Sequence, residues 1–317
     1  MEVLRKNTEI IKAPMYEVVR GQEIKEADFM DFINFLDAKP KTVATYKRAL
    51  KQFFKYIFEN GIKQPTRQNI IDFREDLKLR CKPSTVQSYI IAVRLFFTWT
   101  AQAGIYPNVA EKIKGAKLNS EHKKDYLTPK QVKAIMNSID RETIQGKRDY
   151  SIFVLMVTCG LRTIEVSRAN VEDLTTLGEH TVLYILGKGR EEKAEYIKVP
   201  EVTEKILREY LKERGSTTGK DPLFISLSNN NRGERISQRT VSGIIKEILK
   251  NAGYNSKRLT AHSLRHTAVT LSLLGGNSLQ EAQTFARHKN IATTQIYAHN
   301  IDKMKNKCSD TIAKAIF

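Results

Sequence analysis

Between residues 26 and 104 the apolar side chains return every three or four positions, in four successive segments. In KTVATYKRALKQFFKYIFENG, Tyr46, Leu50, Phe53 and Ile57 recur at steps of four, three and four. That spacing puts them on one face of a helix. The other side carries Lys41, Lys47, Arg48, Lys51 and Lys55. Val86, Ile90, Val93 and Phe97 repeat the pattern in STVQSYIIAVRLFFTWTAQAG, where Gly104 stands where a helix would stop. EADFMDFINFLDAK and TRQNIIDFREDLKLR complete the set. A strand would need alternation with period two, so this block reads as a small all-helical domain, residues 25–108. Its basic face is either a solvated surface or a surface for phosphates.

A polar stretch containing KGAKLNSEHKKD follows, and residues 109–125 read as a linker. Order resumes at YLTPKQV, with Thr128 as N-cap and Pro129 at the first helical position. The apolar run SIFVLMVTCG breaks at Gly160. The clearest β signal is TVLYILGKGREEKAEYIKVP, two strand-like runs around a glycine-containing turn, which predicts a hairpin with Lys188 at its tip. The spacing of GKG does not match a phosphate-binding P-loop. Helices dominate from Ser237 onward, and Ser278 with Glu281 forms a capping box. The fold expected is mainly α with a small antiparallel β-sheet, the second domain covering residues 126–303. Residues 1–24 read as an extension and 304–317 as a tail ending in an amphipathic stretch.

The chain has 53 Lys and Arg against 35 Asp and Glu, a formal charge of +18 over 317 residues. Such a field attracts polyanions, nucleic acid first among them, although a lysine-rich proteome would give the same sign. No apolar run approaches membrane-spanning length, and the N-terminus lacks a signal-peptide core. Cys81, Cys159 and Cys308 are too widely spaced for a metal site or a disulfide framework. The reading is a cytoplasmic protein without metal or cofactor.

Two histidines four apart in TAHSLRHTAVTLSLLGG raise the question of zinc. A zinc-protease helix needs Glu directly after the first histidine, and here that residue is Ser263. His262 and Arg265 stand at i and i+3, which brings an imidazole and a guanidinium to one helix face. Such a pair suits a phosphate, or is an ordinary basic surface pair. Upstream, CGLRTIEV places Arg162 three residues before Glu165; downstream, ARHKNIATTQIYAH holds His288 and Tyr297. Singly, each has a bland reading as an ion pair or a packed side chain.

Together these stretches resemble the tyrosine site-specific recombinases, the phage-integrase and Xer-type group. GLRTIEV is similar to that family's G-L-R-x-x-E-[LV] motif, and GKGREEK to its lysine-bearing hairpin turn. HSLRHT is similar to its H-x-L-R-H-T box, and HKNIATTQIY to its H-x-x-[IL]-x-T-T-x-x-Y box. The boxes occur in family order from Gly160 to Tyr297, and the helical block resembles the family's core-binding, SAM-like domain. One departure is Arg287, where the family usually has glycine before the histidine.

The resemblance implies phosphodiester transfer by Tyr297, leaving a 3′-phosphotyrosine and a free 5′-hydroxyl. It implies Arg162, Arg265 and His288 as donors to the phosphate, His262 as base and Lys188 as the acid for the leaving oxygen. Glu165 would orient Arg162, and His266 would pack behind the site. Lys41, Lys47, Arg48, Lys51, Ser84, Thr85, Ser88 and Arg94 become candidate DNA contacts, with the helix of the last four in the major groove. The partners implied are duplex DNA with a short inverted-repeat core site, a homotetramer on that DNA joined through the tail, and an optional accessory protein. Residues 1–24 are expected to be too few for the arm-binding domain of larger integrases. The alternatives are a DNA-binding protein without catalysis on the same scaffold, and a type IB topoisomerase.

Overall fold

The computed structural model describes residues 24–117, 125–187, 192–215 and 217–317. The chain divides into two compact units, residues 1–119 and 120–317.

In the first unit the four periodic segments are helices: α1 (Glu26–Phe35), α2 (Pro40–Glu59), α3 (Arg67–Arg80) and α4 (Pro83–Gln102). Prolines open α2 and α4, where the missing N–H costs nothing. Thr66 caps α3 by accepting from the Asn69 N–H. Leu50, Phe53 and Ile57 are buried and Tyr46 is half-buried, as the spacing requires. Aromatic rings fill the centre: Phe32 meets Phe96 edge-on at 5.5 Å, and Phe53 meets Phe73 at 5.2 Å. Gly104 ends α4 at a φ of 67°.

The core does not stop there. Ala110 and Ile113 are buried, and Val109 and Ala116 pack against the same cluster. The linker expected from residue 109 therefore begins later among the described residues. Isolated apolar residues among Lys and Glu carry no helical periodicity, yet they join the core of the bundle.

In the second unit α5 (Pro129–Asn137) starts on Thr128, whose hydroxyl accepts from Gln131 N–H. α6 (Ile144–Cys159) is buried on nearly every side, which explains its continuous apolar run. α7 (Thr163–Arg168) leads to a three-stranded antiparallel sheet, β1 (Leu174–Leu177), β2 (His180–Ile185) and β3 (Glu195–Lys198), in the order β1-β2-β3. Leu183 lies opposite Ile197 in the register, and both are buried in the core with Ile185. The sequence reading expected β2 and β3 but not β1. β1 is short, rich in Thr and mostly exposed, and joins β2 through Gly178 at a φ of 58°.

Helices α8 (Glu201–Arg214), α9 (Gln238–Asn251), α10 (Ala261–Leu274), α11 (Leu279–Ala286), α12 (Ala292–Lys305) and α13 (Cys308–Ile316) complete the chain. Ser278 caps α11 together with Glu281, as read. No described helix is long and apolar enough to cross a membrane.

α6 ends at Gly160, at a φ of 62°. A Cβ there would meet two ring carbons of Phe285 at 3.1 Å. Gly160→Ala therefore destabilises the fold by at least about 1–2 kcal/mol, the left-handed cost alone. Urea unfolding monitored by circular dichroism checks this.

Candidate active site

Four elements meet around the Gly160 break. Arg162 stands at the N-cap of α7, its backbone N–H donating to Glu165 Oε2 and its Nη1 to Oε1, both at 2.8 Å. Glu165 is thus a helix cap and the partner of Arg162 at once. Burial alone would push its carboxyl up; the charge of Arg287 and the hydrogen bonds from Arg162 outweigh that and hold it below the usual carboxylate range.

α10 carries the HSLRHT stretch and is buried from Ser263 to Thr270. Its polar side chains are satisfied locally. Ser263 Oγ donates to Arg258 O at 3.0 Å, and Thr267 Oγ1 donates to Ser263 O while accepting from Leu127 N–H at 2.9 Å. Arg265 points inward with 1% exposure. Its Nη1 donates to Gly160 O at 2.6 Å and its Nη2 to Ala286 O. Burial, with Arg162 and Arg287 nearby, draws the guanidinium down to about 9, against the opposite pull of Glu165 and Tyr297. It stays cationic at neutral pH.

His262, one turn before Arg265, differs from it in burial. It is exposed while Arg265 is covered, and it lines an open cleft of about 500 Å³ with Arg162, Gln238 and Lys246. α10 packs on so much of its circumference that i and i+3 fall on opposite sides of the buried boundary.

α11 ends at Arg287 in the left-handed conformation, and His288 follows. His288 Nδ1 lies 2.9 Å from Thr294 Oγ1, a fully buried hydroxyl that fixes the ring. Its stacked neighbour is Tyr297, at 6.0 Å between ring centroids. Tyr297 is 2% exposed and packs with Val269 and Ala286; His266 meets its ring edge-on at 4.6 Å. Burial pushes the phenol up, opposed by Arg265 and Arg162. His266 stacks on Tyr126 as well, so it is a packed ring beneath the tyrosine.

Lys188 lies outside the described residues. The strands that flank it are in place: Arg168 Nη1 donates to Gly187 O at 3.3 Å, and Lys193 Nζ binds Asp173 Oδ2 at 2.6 Å, which pins the hairpin to the body of the unit. Glu195 and Tyr196 of β3 line a second cleft, of about 520 Å³, with Arg287 and His288. The hairpin base thus borders the His288 side of the site.

Among the described residues the structure therefore gathers Arg162, Glu165, Arg265, His266, His288 and Tyr297, with His262 on the adjoining cleft. The candidate DNA contacts lie in the other unit. Lys41, Arg48 and Lys51 on α2 and Ser84 and Arg94 on α4 are exposed; Lys47, Thr85 and Ser88 are half-buried, and the Ser88 hydroxyl donates to Ser84 O. No local pattern gives Arg287 a role, although its place in front of His288 is a visible anomaly. Nothing in the TT pair singles out Thr294.

Residues 125–304 match the model of the phage integrase family, more than half of the chain. The chain belongs to the phage integrase family. Residues 23–105 match the phage integrase N-terminal SAM-like domain. The chain is 36% identical over 196 residues to the tyrosine recombinase XerC of Caldanaerobacter subterraneus subsp. tengcongensis, covering 62% of the chain and 52% of that relative. It is 29% identical over 288 residues to a putative integrase/recombinase, y4rC, of Sinorhizobium fredii, covering 84% of each. The first three curated relatives are matched over 52%, 64% and 57% of their own length. In fold it is similar to the XerH recombinase bound to palindromic difH substrate, with a TM-score of 0.73 at 20% identity over 93% of this chain and 91% of that one. Lambda integrase in a dimer bound to a COC′ core site follows at 0.66 and 16%, over 84% and 95%.

Proposed function

We propose that this member of the phage integrase family is a site-specific DNA recombinase in which Tyr297 cleaves and rejoins strands. The observation that carries the reading is the seating of Tyr297 within the electrostatic reach of Arg162 and Arg265, beside His288. A structural tyrosine has no need of two guanidiniums, whereas a phosphoryl acceptor does.

In the reaction Tyr297 Oη attacks the phosphorus of a backbone phosphodiester. The P–O5′ bond breaks, the phosphate stays on Oη as a 3′-phosphotyrosine, and the 5′-oxygen leaves. His262 accepts the phenolic proton and Lys188 supplies one to the leaving oxygen. Arg162, Arg265 and His288 stabilise charge on the non-bridging oxygens. Attack by a 5′-hydroxyl reverses each step, so the bond energy is kept and no nucleotide cofactor is consumed. Because Tyr297 and Arg265 are covered, the reaction requires α12 to release the tyrosine toward the cleft when DNA binds. A resting site closed in this way keeps the protein from cutting DNA at random.

The reading extends to duplex DNA with an inverted-repeat core site, held by a homotetramer, with an accessory protein where the element needs one. Exposed Lys41, Arg48, Lys51 and Arg94 suit phosphate contacts, which makes binding steeply salt-dependent. α13 buries none of its residues, and Ile312, Ile316 and Phe317 stand exposed. Its apolar side is suited to a neighbouring protomer. Deleting residues 304–317 is expected to abolish higher-order complexes in a native gel while changing single-protomer binding by less than about threefold, under half of one tenfold step in affinity.

The test is covalent trapping in EDTA. The protein is incubated with sheared duplex DNA, denatured in SDS, and the attached ends are sequenced. Wild-type adducts confined to one sequence support a recombinase. Adducts scattered over all sequences favour the topoisomerase alternative, and tight binding without adducts favours a protein that only binds.

A further inference from the structure

We infer that Arg287 is a positioning residue of the transfer site, holding Glu165 against Arg162 and supplying the third positive charge of the cluster. The inference rests on the recombinase reading above.

Its backbone is the first sign. Arg287 is one of two non-glycine residues with positive φ among those described, at φ 53° and ψ 45°. A side chain in that region is strained, a strain that glycine would avoid. The Arg287 N–H caps the helix by donating to Thr284 O, a bond that glycine would make as well. The side chain must therefore contribute something the cap does not.

Its contacts show what. The guanidinium is 7% exposed, and Nη2 donates to Glu165 Oε2 at 2.9 Å and to Gly160 O at 3.3 Å. Nη1 donates to Phe285 O. Glu165 Oε1 is taken by Arg162, and Gly160 O is shared with Arg265. One carboxylate and one carbonyl thus tie three arginines together. With Arg287 removed, Glu165, 1% exposed, would keep a single cation and the Arg162 backbone N–H, and its Oε2 would lose the guanidinium that fixes it from the other side.

Charge gives the second argument. Three guanidiniums against one carboxylate leave two net positive charges in this cluster, the number that matches a doubly negative phosphorane. A glycine at 287 would leave one. The same carboxylate that would quench Arg162 is neutralised by Arg287, so Arg162 keeps its charge for the phosphate.

The experiment uses a nicked duplex carrying the sequence recovered by trapping, and reads single-turnover adduct formation at saturating protein. R287G is expected to form adducts about 10- to 100-fold more slowly, the scale of a misplaced reacting group, with DNA affinity within about threefold of wild type. Its Tm is expected to fall, because the lost buried ion pair and hydrogen bonds outweigh the relief of the left-handed position. The rate is what separates the readings: a purely structural arginine would give the lower Tm with an unchanged rate. R287K, which keeps the charge, is expected to recover the rate to within about tenfold of wild type. Wild-type speed in R287G overturns the proposal, and so does a folded R287K no faster than R287G. Failure of the wild-type protein to form any Tyr297-dependent adduct would instead remove the recombinase reading itself.

Discussion

Tyr297→Phe leaves a folded, DNA-binding protein that forms no covalent adduct. Phenylalanine keeps the ring that packs with Val269 and Ala286 and meets His266 edge-on. The stability change is expected within about 1 kcal/mol, the net worth of one ordinary hydrogen bond. The loss of cleavage is expected to be complete, since the proposed reaction has the Tyr297 hydroxyl as its acceptor. Thermal unfolding and SDS trapping, run on the same preparation, separate the two effects. An adduct that persists in the phenylalanine variant would show that another residue is the acceptor.

The two arginines are expected to separate by stability and to agree in chemistry. Arg162→Ala and Arg265→Ala each lower the cleavage rate by about 10²–10³, the loss seen when one preorganised donor is removed. Their folds respond differently. Arg162 is 31% exposed at its side chain, and without it Glu165 still has Arg287. The cost is about 1 kcal/mol. Arg265 is buried and satisfies the carbonyls of Gly160 and Ala286. Its loss takes the guanidinium from the Ala286 carbonyl, at about 1–3 kcal/mol, and leaves Gly160 O to the longer bond from Arg287. Urea unfolding and single-turnover trapping on the pair would show equal rate losses with unequal stabilities. Equal stabilities would mean that the Arg265 bonds are not made in solution.

How far the sequence carries can be judged from particular elements. α2 and α4 were legible because each has one buried face, and a spacing of three and four registers it directly. α6 was legible only as an apolar run, since burial on all sides erases periodicity. β1 was not legible: four residues, two of them Thr, with little burial, give no alternation to read. The early start of the linker failed because Ala110 and Ile113 cap the bundle from irregular chain.

The site residues themselves were legible as types at intervals, since the boxes are local. Their state was not. Whether Arg265 and Tyr297 face solvent depends on how α10, α11 and α12 pack, which no short stretch encodes. The role of Arg287 was hidden for the same reason: its carboxylate partner is 122 residues away. What the sequence did show was the anomaly, an arginine where the chain turns left-handed, and the structure supplies its cause.

The most direct test of the central claim is to identify the residue that carries the DNA. Adducts formed in EDTA on duplex DNA are digested with nuclease and protease, and the surviving nucleotide-linked peptide is sequenced by mass spectrometry. The account predicts a 3′-phosphonucleotide on Tyr297. A nucleotide on any other side chain, or a 5′-linked one, would contradict it.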